Sequence, residues 1–206
     1  MKRLIFISIL WMLLSVSCTN NDSSSIESQS QSDDTEAVLP EMSIYHLPGV
    51  WTNQDGRDLE LKELKGKVLV MVMIYTSCKA ACPRLIADMR RIEEQVPEKY
   101  VNDVQYIMVS IDPETDTPER LKSFAAENLM TDDRWMFIRS TKELTREFAS
   151  VLAVNYKKIS PMDFSHSNII SVFDPQGELI FQQEGLDTNN KKTLNTIVKL
   201  ASKQNL

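Results

Sequence analysis

The feature that most constrains the fold is an unbroken apolar run from Val68 to Tyr75. Such runs, when rich in β-branched and aromatic residues, are typical of strands buried on both faces. A segment with helical spacing follows, from about Cys78 or Ala80 to Gln95, and a second apolar run extends from Val104 to Ile111. This order predicts that Cys78 and Cys82 lie where a central strand gives way to a helix, the edge of an α/β sheet at which ligands gather.

The rest of the chain predicts further elements around this unit. A turn at Asn53–Gly56 between short apolar stretches predicts a hairpin. Thr117 and Thr141 are predicted N-caps of two helices, the first with Leu129 on its inward face. The remaining predictions are a strand at Trp135–Arg139, a loop at Asn155–Ser165, a hairpin of Ile169–Phe173 and Leu179–Gln182, and a last helix at Asn190–Lys203. The predicted fold class is α/β, a thioredoxin-like sandwich with a central mixed sheet flanked by helices and an N-terminal β-hairpin.

The N-terminus has the pattern of an export signal: a basic start, an apolar centre at residues 4–14 and a small-residue exit. An exit that ends at Cys18 resembles the lipobox of bacterial lipoproteins, although Ser15 stands where that motif usually has leucine. The polar stretch after Cys18 is typical of a disordered tether. We therefore expect an extracytoplasmic lipoprotein of the bacterial cell envelope, anchored through Cys18; the alternative is plain secretion with an incidental cysteine. The expected segments are a signal peptide at 1–17, a lipidated cysteine and tether at 18–40, and a folded domain at 41–206.

Charge and glycine content argue against two classes of function. The formal charge is −6, and no basic stripe with interleaved aromatic residues is present, so nucleic acid is not an expected partner. Five glycines in the whole chain, none of them in a phosphate-cradling loop, argue against a nucleotide fingerprint.

Cys78 and Cys82 carry the chemistry that the sequence predicts. The unpaired N–H groups of a helix N-terminus lower thiol pKa values. Within a helical first turn, residues four apart share a face, so the pair is expected either to form a disulfide or to converge on one metal ion.

The two histidines, His46 and His166, decide between the metals. Two sulfurs with one imidazole suit copper, whereas structural zinc prefers four protein ligands. His166 precedes a predicted core strand, and the loop before it is expected to pass over the cysteine helix. His46 is expected on the surface. The geometric argument selects copper only if His166 reaches the cysteines.

Carboxylates and methionines allow weaker predictions. Asp112 and Asp116 have a sufficient explanation as turn and capping residues, and the functional alternative is that Asp116 is a surface contact for a partner. Met162, in the predicted loop near His166, is a further candidate for the site. The other methionines singled out fall in predicted core elements, where they are expected to pack; they are Met71, Met73, Met89, Met108 and Met136.

Three motifs in register resemble the Sco (SenC) family: TSCKAACP, VSIDPETDTPERL and DFSHSNIISVFDPQGEL. Proteins of that family are thioredoxin-like, bind copper and help to assemble the binuclear copper centre of cytochrome c oxidase. The resemblance covers about residues 43–203 and implies Cys78, Cys82 and His166 as ligands of Cu(I) or Cu(II). Two departures concern neighbours of the ligands: Lys79-Ala80-Ala81 replaces a trio with proline and aspartate, and Ser165 stands where aspartate often precedes the histidine. Asp163 is therefore a candidate to accept a hydrogen bond from the His166 ring and orient it.

Two functions follow as hypotheses. The first is a metallochaperone, not an enzyme, that delivers copper to the copper-bearing oxidase subunit or to another envelope copper or thiol protein. The second is an extracytoplasmic thiol–disulfide oxidoreductase, in which the more exposed Cys78 attacks and Cys82 resolves.

Overall fold

The computed structural model describes residues 39–161 and 163–204 of the chain. The predicted export signal, the predicted lipidation site Cys18, nearly all of the predicted tether and Met162 lie outside these residues. Within the described part, no helix has the length and apolar character that crossing a membrane requires.

The described residues contain nine β-strands and four α-helices. The strands are β1 (Trp51–Asn53), β2 (Asp58–Leu59), β3 (Val68–Ile74), β4 (Val104–Ser110), β5 (Trp135–Arg139), β6 (Tyr156–Ser160), β7 (Asp163–His166), β8 (Ile169–Phe173) and β9 (Leu179–Glu184). The helices are α1 (Ala81–Gln95), α2 (Pro118–Glu127), α3 (Lys142–Val151) and α4 (Lys191–Gln204).

Seven strands form one mixed sheet in the order β2-β1-β5-β4-β3-β8-β9, and helices flank it. β3 runs parallel to β4 and antiparallel to β8. The separate two-stranded sheet joins β6 to β7. The α/β sandwich and the N-terminal hairpin of β1 and β2 are therefore confirmed.

The centre of the sheet is buried because its strands carry apolar side chains on both faces. Every residue of β3 and of β4 is buried, and each large apolar side chain removed from water stabilises the fold by about 1.5–3 kcal/mol. In the parallel register Ile74 is opposite Ser110. The segments that follow the two strands therefore emerge side by side at one edge of the sheet.

The predicted helix starts and core methionines are confirmed. Thr117 and Thr141 accept hydrogen bonds from the backbone N–H groups of Arg120 and Leu144, at 3.3 and 3.2 Å. Of the methionines expected to pack in core elements, four are at most 1% exposed and Met136 is partly buried; the four are Met71, Met73, Met89 and Met108.

Two local predictions are wrong. The segment predicted as a loop at Asn155–Ser165 forms most of the β6–β7 hairpin. Its strands have no fully buried face, so the apolar signal by which strands are recognised is absent. Leu129, expected to face inward, is 75% exposed, because α2 ends at Glu127 and the backbone of Leu129 has a φ of 58°.

Candidate metal centre

The two cysteines lie on either side of the start of α1. The N–H group of Cys78 donates to the carbonyl of Tyr75 at 3.2 Å, in a tight turn directly after β3. The N–H group of Cys82 then donates to Cys78 Sγ at 3.3 Å. Cys78 therefore precedes the helix and accepts from one of its free N–H groups. The expectation that both cysteines lie on one helical face is wrong, although their sulfurs do meet.

His166 reaches the cysteines from the end of β7. Its Nε2 lies 4.0 Å from Cys82 Sγ, and ligand atoms of Cys78, Cys82 and His166 all lie within 4.8 Å of one another. Cys78 and Cys82 are not joined by a disulfide bond, and their exposed fractions are 8% and 0%. The structure thus brings the three predicted ligands together in a reduced site at the edge of the sheet.

The tautomer of His166 follows from the contact of its other nitrogen. Nδ1 lies 3.0 Å from the carbonyl oxygen of Ser167, and a carbonyl oxygen only accepts hydrogen bonds. Nδ1 therefore carries the proton in the neutral ring, and the lone pair of Nε2 faces Cys82. Histidines that bind metals typically have such a backbone acceptor. The candidate acceptor Asp163 does not fill this role in the structure.

Asp163 instead fixes the hairpin that carries His166. Its carboxylate accepts a hydrogen bond from the hydroxyl group of Tyr75 and one from the N–H group of Phe164, the latter at 3.0 Å. The Tyr75 ring also packs against the rings of Phe164 and His166, with centroid separations of 5.1 and 5.8 Å. Tyr75 is the last residue of the apolar run, and nothing local in the sequence distinguishes its hydroxyl group from an ordinary core tyrosine.

The two thiols differ strongly in acidity. A hydrogen bond from the Cys82 thiol, with further bonds from backbone N–H groups, lowers the pKa of Cys78 to about 4 against the effect of burial. The hydrogen bond to Cys78 and burial raise the pKa of Cys82. At neutral pH the pair therefore holds one thiolate, on Cys78, and one thiol, on Cys82.

Asp116 stabilises the turn between β3 and Cys78 through hydrogen bonds. It is fully buried and accepts hydrogen bonds from the hydroxyl groups of Thr76 and Ser110 at 2.5 and 2.6 Å. Burial raises the pKa of its carboxyl group. The alternative that Asp116 is a surface contact for a partner is therefore wrong. Asp112, 3% exposed, is likewise not a surface residue.

His46, the second histidine, is exposed and lies apart from the site. Its Nε2 contacts the carbonyl oxygen of Pro40 at 2.9 Å, and it does not belong to the cysteine–histidine group. The expectation that His46 is a surface residue is confirmed.

The spacing of the three donors fits one small metal ion. With metal–sulfur and metal–nitrogen bonds of about 2.3 and 2.0 Å in a trigonal arrangement, a sulfur and a nitrogen lie about 3.7 Å apart. The observed separation of Cys82 Sγ and His166 Nε2 is 4.0 Å. Small side-chain adjustments are sufficient for the three atoms to meet one ion.

Comparison with known proteins places this site in a family. A family model described as SCO1/SenC matches residues 46–202. The "SCO1 protein homolog" of Bacillus subtilis is 30% identical over 158 residues, which cover 75% of this chain and 81% of that protein.

Solved structures agree with this match. A SCO1/SenC family lipoprotein from Bacillus anthracis has a TM-score of 0.69 at 27% identity, covering 76% of this chain and 95% of that chain. BsSco, described as a member of the Sco family of cytochrome c oxidase assembly proteins with a disulfide switch, has a TM-score of 0.67 at 26% identity, covering 77% and 94%. More distant Sco proteins that were solved with copper bound share the fold. The chain therefore belongs to the SCO1/SenC family of thioredoxin-like proteins.

Proposed function

We propose that the chain binds one copper ion through Cys78, Cys82 and His166 and delivers it to the binuclear copper centre of cytochrome c oxidase. The observation that carries the proposal is the convergence of the three donor atoms within 4.8 Å. Family membership supports the recipient, because a related structure is described as that of an oxidase assembly protein.

The donor set favours copper over other metals. Thiolates and an imidazole are soft to intermediate ligands that suit copper, and a closed zinc site would require a fourth protein ligand. Among the described residues, Cys78, Cys82 and His166 form the only group of three or more histidines, cysteines and carboxylates arranged to hold a metal ion. Three donors suit Cu(I) directly, and Cu(II) would add an oxygen ligand.

We further propose that the domain acts from a membrane anchor. The export signal at residues 1–17, lipidation of Cys18 and a tether at 18–40 would give the domain at 41–206 reach without fixing its orientation. A related protein of known structure is itself described as a lipoprotein. Palmitate labelling of cells tests this proposal: we expect label on the native chain, and a Cys18→Ser variant that still incorporates label would overturn it.

Copper titration tests the site. The full chain, purified in detergent and reduced, should bind one Cu(I), and His166→Ala should weaken the affinity severely. His46→Ala is the matched control, since the ring of His46 is exposed and contacts the carbonyl of Pro40, away from the cysteines, and it should bind like the native chain. Equal copper affinity in His166→Ala and His46→Ala would contradict the three-ligand site.

Thiol–disulfide exchange is the second candidate, and one observation favours it. Cys78 Sγ accepts a hydrogen bond from the N–H group of Cys82 at 3.3 Å. Hydrogen bonds from Cys82 lower the pKa of Cys78 to about 4, and an acidic thiol beside a second thiol is the arrangement that exchange requires. Reduction of a disulfide substrate separates the two functions. An oxidoreductase loses activity when either cysteine is replaced but tolerates His166→Ala, whereas a copper carrier depends on all three residues.

A further inference from the structure

A groove beside the proposed copper site is rich in positive charge. It has a volume of about 500 Å³ and lies between α3 and the β6–β7 hairpin. Lys142 and Arg146 line it from α3, and Lys157 and Lys158 line it from β6. We call this surface the basic groove.

The positive charge of the basic groove exceeds the negative charge that faces it. Asp112 is the one carboxylate in its lining, and at the rim Glu114 pairs with Lys142 at 2.6 Å. In the described part of the chain, neither Lys157 nor Lys158 has a carboxylate within 4.0 Å; Lys158 Nζ lies 5.3 Å from the centroid of the Phe164 ring and its charge also acts on Glu114. The whole chain carries a formal charge of −6, so this local excess of cations is opposite in sign to the protein as a whole.

The basic groove adjoins the cavity beside His166. A second cavity of about 460 Å³ is lined by His166 and its neighbours. The two cavities share Asn155, Tyr156 and Lys157 in their linings. A segment bound in the groove that continues past Asn155 and Lys157 would reach the cavity beside His166.

We propose that the basic groove docks an acidic segment of the protein that receives the copper. The proposal rests on the proposed function and names the chemistry of the recipient. Complementary charge at this position would speed encounter and orient the recipient toward His166.

The shape of the groove favours a protein segment over a lipid surface. Its charged side chains stand on two facing walls, and the rings of Tyr156 and Phe164 lie among its lining residues. A concave site of this kind encloses an extended peptide, whereas a layer of lipid headgroups is flat and contacts convex basic surfaces.

Peptide binding tests the proposal on the full reduced chain in detergent. The probes are a fluorescent oligo-glutamate peptide and a matched oligo-glutamine peptide. We expect the glutamate peptide to bind more tightly, with an affinity that falls as salt is added. Lys157→Gln with Lys158→Gln should weaken its binding roughly tenfold, since each exposed ion pair contributes a few-fold. Lys191→Gln with Lys192→Gln, an adjacent exposed pair on α4, removes the same charge and should leave binding unchanged.

Equal affinity for the two peptides, or an equal loss of affinity in the two double variants, would overturn the docking surface. So would a chain that binds phosphatidylglycerol vesicles in preference to the glutamate peptide and loses vesicle binding when Lys157 and Lys158 are replaced. Copper stoichiometry is measured on the same samples. A native chain that fails to bind copper refutes the proposed function, whereas a chain that binds copper but not the glutamate peptide refutes only the docking surface.

Discussion

The backbone N–H group of Cys82 donates a hydrogen bond to the sulfur of Cys78 across 3.3 Å, so one proposed ligand holds the other in place. The thiol of Cys82 adds the contact that contributes most to the low pKa of Cys78, about 4 against an ordinary value of 9.0. The ionised form is the one favoured, so the thiolate persists from alkaline pH down to about pH 4.

Thiolate absorbance in the ultraviolet measures this ionisation. On a Cys18→Ser background, we expect the reduced chain to keep one thiolate at neutral pH and to lose it near the pKa of Cys78. Cys82→Ala removes the strongest stabilising contact, so the transition should move toward the ordinary thiol range. A transition that stays at its original pH in Cys82→Ala would contradict this assignment, and Cys78→Ala should abolish the low-pH transition altogether.

The two histidines should be opposite tautomers. The carbonyl of Ser167 requires the proton of neutral His166 on Nδ1, and the carbonyl of Pro40 requires that of His46 on Nε2. Nitrogen NMR of the reduced chain, well above the ordinary histidine pKa of about 6.5, distinguishes the two forms. Addition of Cu(I) should shift Nε2 of His166 and leave His46 unchanged. The same tautomer at both positions would refute the backbone contacts as the cause.

Tyr75→Phe should loosen the hairpin that carries His166. The substitution removes the hydrogen bond to Asp163, and outer contacts of this kind typically change metal affinity by about 10–100-fold. Tyr45→Phe is the control, because Tyr45 is also buried and donates to the carbonyl of Leu64 at 3.1 Å, away from the cysteines. Copper titration and urea unfolding should show similar stability losses but a loss of copper affinity only for Tyr75→Phe. Unchanged affinity in that variant would show that the hairpin is positioned by other contacts.

Thr76→Val should destabilise the fold by about 1–3 kcal/mol, since it leaves the buried carboxylate of Asp116 without one of its donors. Thr52→Val removes a hydroxyl that donates to Asp58 at 2.7 Å on the exposed surface and should have little effect. Urea unfolding of the two variants gives the comparison. Equal losses of free energy would mean that the contact with Asp116 adds nothing specific to stability.

Much of the fold could be predicted because its signals are local. The apolar runs of β3 and β4 and the capping threonines Thr117 and Thr141 need no tertiary information. The β6–β7 hairpin could not be recognised, because its strands carry no buried face. The burial of Asp116 was missed for a different reason: it depends on Thr76, 40 positions away, and on the parallel register of β3 and β4.

For the candidate site, the residue types could be predicted but their arrangement could not. The spacing of Cys78 and Cys82 and the position of His166 before a core strand indicated the three ligands. The placement of Cys78 outside α1 depends on the turn after Tyr75, and the acceptor of His166 is a backbone carbonyl, which sequence reasoning directed at side chains does not find.

His166, the third proposed ligand, belongs to the β6–β7 sheet, whereas Cys78 and Cys82 lie in the turn after β3 and in α1. An ion bound by all three residues would therefore connect the β6–β7 hairpin to the segment formed by the turn after β3 and the start of α1. We expect the amide hydrogens of the β6–β7 hairpin to exchange more slowly in the copper-bound protein than in the copper-free protein. A recipient that contacts the β6–β7 hairpin would therefore meet a more ordered surface on the copper-bound protein than on the copper-free protein, before any bond to the metal is exchanged.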